Sequence, residues 1–213
     1  MKVFKFKKRK RYPEVTLRTI IKGYDITEEQ FKWIAVHQKL TESFIEEYVD
    51  RFNLEDVYKH HFMSEAFIEK HLDRCNKNTW RVISINQQLS ETFIEKHIDD
   101  LDWYEMSIHQ NLSQEFVKKY VERIYWPEFL TKKYISEDNL REVVPYLDKD
   151  ALLAAFKRKY ISPEFIEENI EKLNLSRKYR ILFHMLDGEY PSDKIDIIKR
   201  SIGEDDYTKK RSH

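Results

Sequence analysis

Histidine is the residue type most able to do chemistry here, with eight copies in 213 residues. The pair His60-His61 with His71, or His97 with His109, supplies imidazoles of the kind that hold zinc or copper. Such a site needs three or four ligands converging, with thiolates or carboxylates completing the set. The pattern speaks against it, because His71 and His97 occupy one place in a repeated phrase that Tyr48, Tyr120 and Asn169 fill elsewhere. A place shared by His, Tyr and Asn calls for a flat polar group bonding a neighbouring turn. The pairs His37-Gln38, His60-His61, Asn86-Gln87 and His109-Gln110 are equivalent to one another and fall where helices end. They are read as partners for the carbonyls and N–H groups that turns leave open, in preference to a polar ladder shown to a ligand.

The remaining candidates reduce in the same way. Trp80, Trp103 and Trp126 would make a stacking platform for bases, but Phe31, Leu54 and Leu152 stand at the same place and share only apolar bulk. The carboxylate pairs Glu46-Glu47, Asp99-Asp100 and Glu167-Glu168 lie on solvated helix faces, without the pocket that general acid–base work requires. Cys75, the single cysteine, has no base near it in sequence and reads as an inert turn residue. No glycine-rich phosphate loop, nucleophile elbow or zinc spacing occurs. The expectation is therefore no enzyme, no catalytic residue, no metal, no cofactor and no small-molecule substrate.

The elements that carry these residues repeat. LTESFIEEYV, MSEAFIEKHL, LSETFIEKHI, LSQEFVKKYV, ISEDNLREVV and ISPEFIEENI begin at Leu40, Met63, Leu89, Leu112, Ile135 and Ile161, in steps of 23 or 26 residues. A period in the twenties signals stacked supersecondary units that bury their apolar faces on one another. In each copy Thr41, Ser64, Ser90, Ser113, Ser136 or Ser162 stands at a helix N-cap. Phe93, Ile94, His97, Ile98 and Leu101 then mark one face of a first helix, and Trp103 and Met106 begin a second after the cap candidate Asp102. The predicted repeat core is Phe44, Phe67, Phe93, Phe116 and Phe165 from the first helices and Trp80, Trp103 and Trp126 from the second. The two longer steps place their three extra residues near 73–79 and 144–150, where Asn76-Lys77-Asn78 and Pro145 suit a turn between helices.

The ends differ from the middle. The first dozen residues carry Lys2, Lys5, Lys7, Lys8, Arg9, Lys10 and Arg11 and no acid, on a chain whose basic and acidic residues balance at 38 each. The rest therefore carries 31 basic against 38 acidic residues, a net charge near −7. Alternation of Phe4 and Phe6 with Lys5 and Lys7 predicts a short strand paired with residues 15–18 across Tyr12-Pro13, ahead of the alternative that Leu17 opens a degenerate copy. Ser192 is expected to cap a closing helix carrying Ile195, Ile197, Ile198 and Ile202. The domains expected are a basic arm or hairpin at 1–25, a helical array at 26–187, a capping helix at 188–203 and a polar tail at 204–213. The lone cysteine points to a reducing compartment, and neither a secretory signal nor a membrane-spanning run is read in the sequence.

The phrase formed by Leu89, Ser90, Phe93, Ile94, His97, Leu101, Asp102, Trp103, Met106, Ser107 and Gln110 resembles short two-helix repeats common in uncharacterised proteins of large DNA viruses and tailed phages, over residues 26–187. The resemblance implies a helical repeat fold and a viral or phage origin, and it transfers no activity. The expected architecture is an all-α solenoid of six to seven helix-turn-helix repeats with a small basic N-terminal strand or hairpin element. The expected function is a protein–protein interaction module, an accessory protein that binds a host or viral protein in the cytoplasm. The alternative is nucleic-acid association, in the cytoplasm or a eukaryotic nucleus, through Lys5, Lys7, Lys8, Arg9, Lys10 and Arg11, which would contact phosphate or an acidic partner.

Overall fold

A computed structural model describes residues 3–188 and 190–203, with fifteen α-helices and no strand among them. The chain is all-α. It divides into two compact units, residues 1–110 and 111–213, and the expected tail at 204–213 lies outside the described residues.

The first unit holds α1 (Glu14–Gly23), α2 (Glu28–His37), α3 (Glu42–Glu47), α4 (Leu54–His60), α5 (Glu65–Lys70), α6 (Lys77–Asn86), α7 (Glu91–Lys96) and α8 (Trp103–His109). The six-residue helices α3, α5 and α7 each start at a Thr or Ser whose side-chain oxygen accepts the N–H of the Phe three residues on, at 3.2, 3.1 and 3.1 Å. Each stops at Tyr48, His71 or His97, which leave helical geometry with ψ between 24° and 32°. Helices this short do not persist alone in water, and burial of their apolar side chains holds them; the second helices pack in succession, α2 on α4, α4 on α6 and α6 on α8. Phe44, Phe67 and Phe93, each with the Ile that follows it, are buried, as are Ile34, Val57, Ile83 and Met106 of the second helices.

The second unit holds α9 (Gln114–Lys119), α10 (Trp126–Lys132), α11 (Glu137–Val143), α12 (Lys149–Phe156), α13 (Pro163–Asn169), α14 (Leu175–Asp187) and α15 (Ser192–Ile202). Here α10 packs on α12, α12 on α14, and α15 against α13 and α14. Phe116, Trp126, Phe129 and Phe165 are buried. Asn139, in the copy that departs most from the pattern, is only half-buried, while Leu140 and Val143 turn inward beside it.

Several expectations change. The N-terminal hairpin does not form, because residues 15–18 belong to α1. Pro13 presets the backbone ahead of Glu14, and Leu17 and Ile20 give the segment one buried helical face. Extended pairing there amounts to a single parallel bridge from Val3 to Asp25. Leu17 sits inside α1, so it does not open a copy either. The extra residues of the longer steps extend helices instead of filling turns. Asn76 accepts from the N–H groups of Asn78 and Thr79, and Asp148 from those of Asp150 and Ala151, which adds a first turn before Trp80 and Leu152. What reads as turn chemistry is therefore an N-cap followed by a helix. The closing helix starts at Ser192 with Pro191 at its cap, one residue earlier than expected, and Ile195 is only half-buried while Ile197, Ile198 and Ile202 are buried.

Trp103 also departs from the core list, being half-buried. Its indole N–H donates to the Ile98 carbonyl at 2.9 Å, which pins the ring to the preceding turn at the first position of α8 and leaves an edge in solvent. Trp126 makes the equivalent bond to Val121 at 3.0 Å and is buried.

Candidate functional site

Successive copies are joined by two series of hydrogen bonds, and these account for most of the polar residues that looked like candidates. The first series runs between helix N-termini. The Glu42 carboxylate accepts from both the N–H and the hydroxyl of Ser64, at 2.7 and 2.9 Å. Glu14 does the same for Thr41, Glu65 for Ser90 and Glu137 for Ser162, while Gln114 accepts the Ser136 N–H. An acid after the cap residue is plain in four of the six copies, but there it reads only as a favourable charge at a helix start. Its use as an acceptor for the next copy depends on the packing.

The second series runs between helix C-termini through the residue two places before each copy. Gln87 is buried, with its Oε1 taking the Met63 N–H at 2.8 Å and its Nε2 donating to the carbonyls of Tyr58 and His61. Gln110 treats Leu89, Ser84 and Gln87 alike. In the second unit Arg158 and Tyr160 take over, donating to the carbonyls of Lys133 and Ile135. The polar ends of the second helices are therefore occupied by carbonyls that helix termini leave unpaired.

The histidines fall into the same framework. His71 and His97 lie tilted against the Phe four residues before, with ring centres 4.6 and 4.5 Å apart, as Tyr48 and Tyr120 do at 5.1 and 4.7 Å. His71 also meets Glu46 at 2.9 Å, and Lys70 and then His71 hold the Glu46 carboxyl below the usual carboxylate range. Among the described residues no three His, Cys, Asp or Glu side chains gather as metal ligands would. Burial pushes the Cys75 thiol up to about 11, which keeps it protonated and unreactive near neutral pH.

His61 stands where three other copies carry Gln, and its Nε2 lies 2.8 Å from the Ala35 carbonyl. Burial lowers its pKa below the ordinary imidazole value. An unfolded imidazole titrates near about 6.5, so the stability that comes from keeping this ring neutral is complete above that pH. It is lost as pH falls through about 6.5 towards the lower folded value. His61→Gln keeps a donor for Ala35 and removes the titration. Thermal melts at about pH 7 and pH 5 are expected to show a smaller drop for the variant than for the wild type; an unchanged drop would place the acid sensitivity elsewhere.

The basic segment is docked on the first unit. Its Tyr12 N–H donates to Gln38 Oε1 at 2.7 Å and Gln38 Nε2 donates to the Lys10 carbonyl, so Tyr12 uses Gln38 as Met63 uses Gln87. Gln30 Nε2 donates to the Phe4 carbonyl at 2.6 Å, and Arg11 donates to the His37 carbonyl. Phe4, Phe6, Tyr12, Tyr24 and Trp33 form one aromatic cluster with ring centres 4.9–6.4 Å apart. Lys5, Lys7, Lys8, Arg9 and Lys10 are left exposed. The Lys10 N–H closes a four-residue turn on the Lys7 carbonyl at 3.2 Å, with Arg9 at φ 66°. That left-handed conformation costs a non-glycine residue about 1–2 kcal/mol.

A surface depression of the first unit, about 570 Å³, is open and lined by Glu28, Glu29, Asp50 and Asp56 with Lys32 and Arg51. Arg51 is engaged elsewhere, over the Phe31 ring and on the Ile26 carbonyl. No described helix is long and apolar enough to cross a membrane. Comparison with protein-family models, curated proteins and solved structures returns no match.

Proposed function

We propose that this chain is a non-enzymatic protein-interaction module, a solenoid of six to seven two-helix repeats from a large DNA virus or tailed phage that engages a host or viral protein in the host cytoplasm. The observation that carries this reading is the residue just before each copy: Lys39, Phe62, Gln88, Asn111, Tyr134 and Tyr160. All six are exposed and their chemistry varies from copy to copy, although the Tyr160 hydroxyl also bonds the Ile135 carbonyl, whereas the places on either side are taken up by packing and by hydrogen bonds between copies. Phe62 and Tyr134 are 74% and 66% exposed, which no packing need explains. Repeat arrays recognise partners through positions that are free to vary, because their shared positions already hold the stack together. Large aromatics at such places supply contact area at low entropic cost.

The test is affinity capture with the full chain from host lysate, followed by binding measurements with the purified partner. Phe62→Ser and Tyr134→Ser are expected to leave helicity and melting temperature unchanged and to weaken the partner at least tenfold, as loss of an aromatic anchor does. A partner that binds both variants as it binds the wild type would overturn this reading.

A further inference from the structure

We propose that residues 5–10 are a preformed site for the phosphate backbone of nucleic acid, separate from the variable residues before each copy and beyond the interaction function assigned above. Three observations support this. The first is unpaired charge: among the described residues Lys5, Lys7, Lys8 and Arg9 have no carboxylate partner, whereas Lys70, Arg81, Lys96 and Arg141 each pair with one. The second is order before binding. Gln30, Gln38 and the aromatic cluster hold the segment at both ends, and the Tyr12 hydroxyl accepts the Lys7 N–H at 3.1 Å. Fixing the cations in advance lowers the entropic cost of binding. The third is Arg9 itself, which occupies the left-handed third position of a turn that favours glycine. A charged residue held against backbone preference at an exposed tip points to a use for that charge.

The chemistry of the loop selects the ligand. Phe4 and Phe6 meet at 4.9 Å on one side of the segment, so Lys5 and Lys7 project from the other, about 7 Å apart in an extended chain. Lys8, Arg9 and Lys10 follow around the turn. A row of fixed cations fits a polyanion whose charges recur at short regular intervals. A lipid surface attracts cations, but stable attachment takes a second group that inserts, and here Phe4 and Phe6 are packed against Tyr12, Tyr24 and Trp33. A protein partner would need an apolar anchor, and residues 5–10 present charge with the only ring turned inward. The cations are assigned to phosphates, and phosphate contacts carry no sequence information, so recognition is independent of base sequence.

The experiment is fluorescence anisotropy of two labelled duplexes of unrelated sequence with the full chain, over about 50–200 mM salt. Both duplexes are expected to bind equally, with a slope of log affinity against log salt of about −4.5 for five engaged cations. Arg9→Gly is the decisive variant, because glycine suits the backbone there. It is expected to melt no lower than the wild type yet bind about five- to tenfold more weakly, with a slope shallower by about one. Lys7→Gln/Lys8→Gln, exposed substitutions that preserve the fold, should make the slope shallower by about two. Unchanged duplex binding by either variant, a slope near zero, or strong preference for one duplex would overturn the proposal. So would binding of polyglutamate or of phosphatidylserine vesicles in preference to the duplexes, the first in favour of an acidic protein and the second of a membrane. None of these outcomes bears on Phe62 or Tyr134, so the two proposals fail separately.

Discussion

Phe93→Ala is expected to lower the unfolding free energy by about 3–5 kcal/mol, the range for truncating a buried aromatic side chain. The ring is 3% exposed and lies 4.5 Å from the His97 ring, which also meets Trp80 at 5.2 Å. Removing it opens a void beside a buried imidazole that no neighbouring short helix is free to fill. Trp103→Ala, in the same copy, is expected to cost only about 1–2 kcal/mol. Its ring is already half in water, and the main losses are partial burial and one hydrogen bond to Ile98. Urea unfolding followed by far-ultraviolet ellipticity separates the two. Equal losses would mean that the Trp103 ring carries the same packing as Phe93.

The second large effect is expected at Gln87. Replacing it with Ala strands the Met63 N–H and the carbonyls of Tyr58 and His61 in a buried setting, each at about 1–3 kcal/mol, for a loss near 3 kcal/mol once water enters part of the space. Gln87→Glu tests the same bonds through pH. An ionised carboxylate would face two carbonyl oxygens, so the folded state favours the neutral acid and raises its pKa above the unfolded value of about 4.3. A raised folded pKa gives stability that is complete below the unfolded value and lost as pH rises through the folded one. The Glu variant should therefore approach wild-type stability near about pH 4 and fall well below it by about pH 7. A pH-independent difference between Gln87→Glu and the wild type would show that the amide does not bridge the copies.

Much of the fold is legible in the residue order because it rests on short-range physics. A Ser or Thr that bonds the N–H three residues on, a Phe and Ile on one helical face, and a Phe ring against the His or Tyr four places later are all settled within a turn or two of chain. Hence the first helices begin and end where the repeated phrase says. The capped starts of α6 and α12 were legible in kind as well, yet Asn76-Lys77-Asn78 suits a turn and a helix start equally, and local chemistry does not choose between them.

By itself the sequence determined the helical class, the copy register, the Ser and Thr N-caps of the six copies and the Phe and Ile rows of the core. Those depend on periodicity and on bonds reaching three or four residues. The tertiary structure alone decided where the polar groups find partners, since Glu42 reaches Ser64, Gln87 reaches Tyr58 and Gln38 reaches Lys10 over 22 to 29 residues. It also decided that the basic segment docks on α2, through Gln30, Trp33 and His37, and does not pair with residues 15–18, and that Trp103 keeps an edge in water. The reason is the same in each case. Which carbonyl, carboxylate or ring face remains unsatisfied is known only after neighbouring helices have stacked, and the side chains then settle on whatever the stack has left open.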